Sequence, residues 1–296
     1  FNIVEFNTKA NALDYNSMDA LKKATDKPLI IINESMQFSA GVNLNYVMEF
    51  IKNNDLKSVE KFIKYFQDTC KHLKYSNKPV VSAPSGLALG GGEEVLLQSN
   101  YVVSHTNIVM GLVETIVGLV PAGGGCKELL WRWVQDKKYV NDHDQAALQV
   151  FDIIGYGLMA HSPLQAKKHK FFLDDDIFVL NRDNLLVEAF NQVSLLKNGY
   201  SSPEKPKFTL SGPEVKEKMH QVLLDLEQKK IIFGYDVDIG LHLATVLSGG
   251  DTTKSKELSE ADLYNLERQS LINLIQSNKT RDRIHAMLST GRRLKN

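Results

Sequence analysis

The 296-residue sequence predicts an α/β fold followed by a mostly helical region. Three observations predict it. Apolar runs of strand length alternate with helix-period segments from residue 2 to about residue 110, glycine-rich turns punctuate them at Gly90–Gly92 and Gly123–Gly125, and beyond about residue 160 apolar positions recur mainly at helical spacing. The length allows one large domain or two small ones. The reading divides the chain into a core over residues 1–160 and a helical region over residues 161–296.

The elements follow in order. Phe1 to Phe6 alternates as a strand does, with no initiator Met, signal peptide or cleavage site ahead of it, as expected of a piece of a longer polypeptide. A helix is expected near Ser17 to Ala24, and Leu29-Ile30-Ile31-Ile32 behind Pro28 reads as a strand. Val59, Phe62, Ile63, Phe66, Cys70 and Leu73 recur at spacings of three and four, the period of one buried helical face, which places Cys70 in the core. Pro79 to Ala83 restarts a strand, Pro84 to Gly92 reads as a glycine-rich turn, and Glu93 to Leu97 opens a helix. Short strands are expected at Tyr101 to Ser104 and Ile108 to Met110. In the second half, Ile177 to Leu180 reads as a strand, and Asn198 to Pro213, holding Pro203, Pro206 and Pro213, as a surface linker. Val215, Met219, Val222, Leu223 and Leu226 mark an amphipathic helix. Ser259, in Ser-Glu-Ala-Asp, offers the next helix an N-cap and an acidic first turn.

Composition excludes several function classes. Lys plus Arg and Asp plus Glu each number 35, and 43% of residues are hydrophobic, so a soluble globular chain is expected and nucleic acid is not an expected partner. Cys70 and Cys126 form neither a zinc pairing nor a disulfide framework, which fits a reducing compartment such as the cytoplasm. The most apolar stretch, Ile108 to Gly125, carries Glu114 and ends in Pro121 and three consecutive glycines, so it is not a spanning helix of about 20 apolar residues. The eight histidines lack metal-ligand spacing, and no metal is expected.

The glycine turns fail as phosphate loops. A dinucleotide fingerprint started at Gly90 reaches Val95 where glycine is required, and one started at Gly123 reaches Glu128; neither turn continues as a P-loop. Triple glycine instead permits positive φ and close backbone approach, leaving amide N–H groups at the mouth of the following helix. That is half of an oxyanion hole, and the turn Phe38 to Leu44 is placed to supply the other half. Each such donor contributes about 2.7–4 kcal/mol of transition-state stabilisation. Glu94 follows the first triple glycine, and Glu114 sits in an apolar run where burial suits a carboxyl to proton transfer near neutral pH. A Ser-His-Asp hydrolase built on Ser82 or Ser85 lacks the Gly-x-Ser-x-Gly elbow. Trp131 and Trp133 read as packing and Lys167 to Lys170 as a solvated face.

Phe38-Ser39-Ala40-Gly41-Val42-Asn43-Leu44, Lys78-Pro79-Val80-Val81 leading to Gly86 to Glu94, Gly111-Leu112-Val113-Glu114, and Gly118 to Gly125 together resemble the crotonase (enoyl-CoA hydratase/isomerase) superfamily, as does Asn11-Ala12-Leu13 near the start. Leu243 to Asp251, Leu263 to Arg268 and the ending Met287 to Asn296 further resemble the C-terminal part of bacterial multifunctional fatty-acid oxidation proteins, in which a 3-hydroxyacyl-CoA dehydrogenase precedes a crotonase domain. The resemblance implies a β-β-α spiral core with a helical C-terminal region, acting on an acyl-CoA substrate. It further implies a homo-oligomer or a tethered dehydrogenase as partner. No cofactor is implied for this chain itself, with NAD belonging to such a dehydrogenase.

Carried over position by position, the oxyanion-hole amides are those of Val42 and Gly91, and the catalytic carboxylates are Glu94 and Glu114. Ala40, Asn43 and Leu44 are implied near the adenine end of CoA, and the amide of Ala122 at the catalytic water. Asn43, Val113 and Ala122 stand where the family usually has Asp, Pro and Gly. Both glutamates together imply hydration of an enoyl thioester. Isomerisation of the double bond and acyl-CoA binding without catalysis are the alternatives.

Overall fold

The computed structural model describes residues 1–296 and groups them into two units. The first comprises Phe1–Asn43, Lys64–Leu112 and Met159–Glu204, the second Leu44–Ile63, Val113–Leu158 and Lys205–Asn296. The strands are β1 (Asn2–Val4), β2 (Leu29–Ile32), β3 (Val80–Ala83), β4 (Leu87–Leu89), β5 (Tyr101–His105), β6 (Val109–Gly111), β7 (Ile177–Val179), β8 (Lys207–Phe208) and β9 (Leu258–Ser259). The helices are α1 (Tyr15–Ala24), α2 (Leu44–Lys52), α3 (Leu56–Lys74), α4 (Gly91–Leu97), α5 (Gly125–Val134) and α6 (His143–Gly155), then α7 (Pro163–Lys168), α8 (Leu185–Leu196), α9 (Pro213–Gln228), α10 (Gly234–Leu247), α11 (Glu260–Ile275) and α12 (Asn278–Thr290).

The first unit is built on a parallel sheet in the order β1-β2-β3-β5-β7. Leu29-Ile30-Ile31-Ile32 and Val80-Val81-Ser82-Ala83 pair residue for residue, and their nearly unbroken apolar runs suit strands covered on both faces. Leu185, Ala189 and Val193, four residues apart on α8, pack on Ile30, Val81, Ala83 and Val103. That spacing keeps one helical stripe on the sheet. α1 starts where the Asp14 side chain accepts the Ser17 amide, a regular N-cap. Cys70 is buried on α3 as its period predicts, and Cys126 is likewise buried, with neither in a disulfide.

β4 lies inside the stretch read as a turn. It pairs in parallel with β6, Leu87 opposite Val109 and Leu89 opposite Gly111. Three residues between Gly86 and Gly90 are too few for a period to register, so only the tertiary pairing reveals the strand.

The second unit is helical apart from β8 and β9. α10 is buried on most sides, through Tyr235, Val237, Ile239, Leu243, Ala244, Val246 and Leu247, as befits a helix whose neighbours include α6, α9 and α11. Ser259 caps α11 as expected, in a reciprocal capping box with Asp262. The expected linker is only partly one. The boundary between the units falls within it, after Glu204, but Phe208 and Leu210 are buried and β8 pairs with β9. No helix is long and apolar enough to cross a membrane.

One buried pair in this unit has a pH signature. Arg283 Nη1 donates to Asp236 Oδ1 at 2.7 Å and Nε donates to Asn296 Oδ1 at 2.8 Å. Burial pushes the Asp236 carboxyl up, but the Phe233 amide and the Arg283 guanidinium outweigh it and hold it below its ordinary value. A carboxyl lowered by folding adds stability above its unfolded value of about 3.9, which is lost as pH falls through the folded value. Asp236→Asn is therefore expected to cost about 3–5 kcal/mol at pH 7, with the gap to the unmodified chain narrowing below about pH 4. Urea unfolding across that range measures it.

Candidate active site

In the first unit, two backbone segments are tied side by side. After β2, Asn33 shapes the chain by accepting the Phe6 amide at 2.6 Å and donating to Phe38 O at 2.7 Å. The amides of Phe38 and Ser39 then donate to Leu87 O, and Leu89 N donates to Ser39 O at 3.0 Å, so the turn runs along β4. Its other side is strapped to the Asn11-Ala12-Leu13 segment. Ala40 N donates to Ala10 O, Leu13 N to Gly41 O and Asn43 N to Leu13 O, while Ser39 Oγ donates to Asn11 O and accepts the Gly41 amide. The roles of Asn11, Asn33 and Ser39 were not read from the sequence, because their partners lie up to 28 residues away.

These bonds pass over the amides of Val42 and Gly91. At the second segment Gly90 N donates to Gly111 O and Glu94 N to Gly90 O, and α4 starts at Gly91. The two segments approach as only glycine allows. A methyl carbon at Gly41, where φ is +95°, would lie 3.2 Å from Gly91 N, and one at Gly91 would lie 3.2 Å from Val42 N, 2.9 Å from Val42 Cγ2 and 3.2 Å from the Phe66 ring. The structure therefore brings together the two amides singled out in the sequence. Glu94 follows Gly91 by three residues on α4, one turn on, and is 3% exposed. Of the residues assigned to CoA, Ala40 is exposed and Asn43 half-buried.

The second unit holds Leu44, Glu114 and Ala122. Leu44 is the first residue of α2, half-buried. Glu114, also half-buried, opens a single 3-10 turn over Glu114–Val117, closed by Gly118 at φ +83°. Three bonds fix that turn: Leu119 N to Glu114 O at 3.0 Å, Thr115 Oγ1 to Ile154 O at 3.1 Å and Thr280 Oγ1 to Gly118 O at 2.8 Å. Tyr235 OH in turn shares a hydrogen bond with Thr280 Oγ1 at 2.6 Å. Ala122 is buried and lies outside the left-handed region, which among non-glycines only Ala10, Asn11, Asn54, Lys170 and Lys230 occupy. Its methyl group causes no backbone strain there.

The second glycine turn corrects the expectation of open helix-mouth amides. Glu267 accepts Gly124 N at Oε2 and Lys127 N at Oε1, both at 2.8 Å. A methyl carbon at Gly124, where φ is +107°, would lie 2.7 Å from the Tyr264 ring. The buried N-terminus of α5 needs acceptors, and they come from α11, some 140 residues on. No local pattern could pair them.

Trp131 packs edge-on against Phe208 and Trp133 against Tyr139. Ser82 Oγ pairs with Ser99 Oγ and Ser85 Oγ donates to Asn107, so neither hydroxyl meets a histidine. No group of three or more His, Cys, Asp or Glu side chains could hold a metal ion.

Residues 5–133 match the model of the family described as enoyl-CoA hydratase/isomerase. Over 99% of its length the chain is 32% identical to the "Probable 3-hydroxyacyl-CoA dehydrogenase" of Bacillus subtilis, and it spans 38% of that protein. It is 30% identical over 41% of its length to the "Fatty acid oxidation complex subunit alpha" of Psychrobacter cryohalolentis, spanning 17% of it. An enoyl-CoA hydratase structure from Rhodobacter sphaeroides superposes with a TM-score of 0.67 at 14% identity, covering 98% of this chain and 86% of that one. The fold is thus the crotonase fold, as the sequence motifs implied.

Proposed function

We propose that the chain, whose residues 5–133 match the enoyl-CoA hydratase/isomerase family model, hydrates a 2-trans-enoyl-CoA to a 3-hydroxyacyl-CoA in fatty-acid β-oxidation, in the cytoplasm. One observation carries this reading: the amides of Val42 and Gly91 stand side by side, unused by the bonds that build the turn, with Glu94 one helical turn on. Two donors so placed suit a thioester oxygen, whose negative charge grows as the enolate forms.

Val42 and Gly91 receive that oxygen. Of Glu94 and Glu114, one takes a proton from water as its oxygen bonds to C3, and the other, protonated, delivers a proton to C2. The C2–C3 double bond becomes single and the elements of water are added, with no oxidant or reductant needed. The Ala122 amide helps hold the water, and Ala40, Asn43 and Leu44 serve the adenine end of CoA. The chain spans only part of the Bacillus protein, and a tethered NAD-dependent 3-hydroxyacyl-CoA dehydrogenase is the partner that would consume the product. The test is loss of enoyl-thioester absorbance when the purified chain meets crotonyl-CoA. Turnover is expected; tight binding of crotonyl-CoA and of longer enoyl-CoAs without turnover would replace this reading with acyl-CoA binding alone.

A further inference from the structure

α5 begins on a charged cluster that the reaction as described does not use. Lys127 is fully buried, with Nζ 2.9 Å from Glu128, 3.6 Å from Glu260 and 5.0 Å from the centre of the Tyr264 ring. Arg132 Nε lies 3.7 Å from the other oxygen of Glu128. Burial pushes the Lys127 ammonium down, but the carboxylates of Glu128, Glu260 and Glu267 outweigh it and hold the group above its ordinary value. Glu267, also fully buried, spends both oxygens on the turn, one on Gly124 N and one on Lys127 N.

A neutral Ser or Asn cap satisfies a helix terminus at little cost, whereas a buried ionic cluster carries a desolvation penalty and adds little net stability. What two bonds from one carboxylate add is a fixed position for the backbone between them. Ala122 is two residues before Gly124, on the segment that enters this clamp.

We infer that Glu267 is a positioning residue: through Gly124 and Lys127 it fixes the Ala122 turn, and so, on the hydratase reading above, the amide that orients the attacking water. Its removal affects the rate at bound substrate rather than acyl-CoA binding. Glu267→Gln leaves one acceptor and turns an amide donor toward the second N–H, so one of the two bonds is lost. Glu267→Asp keeps the charge and both acceptors but draws them back by one methylene.

The experiment is crotonyl-CoA hydration with sites counted by calorimetric titration of butyryl-CoA, so that the rate is expressed per competent site. For Glu267→Gln, kcat per site is expected to fall about tenfold to a hundredfold with KM within about twofold, and Glu267→Asp is expected to lie between it and the unmodified chain. A purely structural role would lower the number of sites and leave the rate per site intact, which would overturn the inference. If Glu267→Gln does not fold, Glu267→Asp is read the same way. If neither variant binds butyryl-CoA, Glu267 is a folding element and the positioning role is wrong. Absence of hydration by the unmodified chain, in contrast, would count against the hydratase reading itself.

Discussion

Glu114→Gln and Glu94→Gln are each expected to slow crotonyl-CoA hydration by about 10²- to 10⁴-fold, the range lost when a positioned acid or base is removed. The substitution keeps the shape of the side chain and the carbonyl acceptor but can neither take a proton from water nor give one to C2. Glu94 is almost wholly buried on α4, whose seven residues are all buried, so a shape change there would disturb packing and an isosteric amide is the cleaner probe. Glu114 sits on a 3-10 turn held by bonds from Leu119, Thr115 and Thr280. Those three bonds run from the Leu119 amide and the Thr115 and Thr280 hydroxyls to backbone carbonyls, and Glu114→Gln keeps each of them. Steady-state kinetics beside thermal melting measures both effects. Collapse of hydration in both variants, with melting temperatures held, is the signature of a carboxylate pair. Retention of a double-bond shift by Glu94→Gln would point to isomerisation, which one carboxylate can support.

How much of this the sequence disclosed depends on how far apart the partners lie along the chain. The runs Leu29 to Ile32 and Val80 to Ala83 announce buried parallel strands because their signal lies within four residues. The face of α3 from Val59 to Leu73 announces itself by period. The candidate site is legible for a related reason: Gly91 and Glu94 share a helical turn, and Gly41 and Val42 share a loop, so each half is a local motif. Hidden were the contacts that hold those halves. Ser39 ties back to Asn11, the Glu114 turn depends on Thr280, 162 residues from Gly118, and the second glycine turn depends on Glu267. The triple glycine predicts close backbone approach with helix-mouth amides left open, whereas Gly124 makes room for the Tyr264 ring. A positive-φ glycine at a helix start is the same signal in either case, and only the tertiary neighbour decides which it is.

Gly91→Ala is expected to part stability from activity. The residue begins α4 without positive φ, and alanine is favoured over glycine in a helix by about 1 kcal/mol, so the backbone itself tolerates the change. The new methyl group, however, would lie 2.9 Å from Val42 Cγ2 and 3.2 Å from Val42 N, closer than carbon and nitrogen rest in a packed interior. The Val42 side chain can rotate away, but its amide is part of a segment pinned on both sides through Gly41 O and Asn43 N to Leu13. On the proposed oxyanion role, relief would come from moving one amide off the line of the thioester oxygen or from setting the methyl group in that oxygen's place. Loss of a single such donor costs about 10²- to 10³-fold in kcat, and Gly91→Ala is expected to lose at least that while remaining folded. Gly41→Ala is the contrasting case: its φ of +95° and a methyl carbon 2.8 Å from Leu89 O penalise the folded backbone itself, so stability and activity should fall together. Melting curves and crotonyl-CoA hydration for the two variants separate these outcomes. Full hydration by Gly91→Ala would mean that the Val42 and Gly91 amides do not bind the thioester oxygen, and the oxyanion assignment would have to be given up.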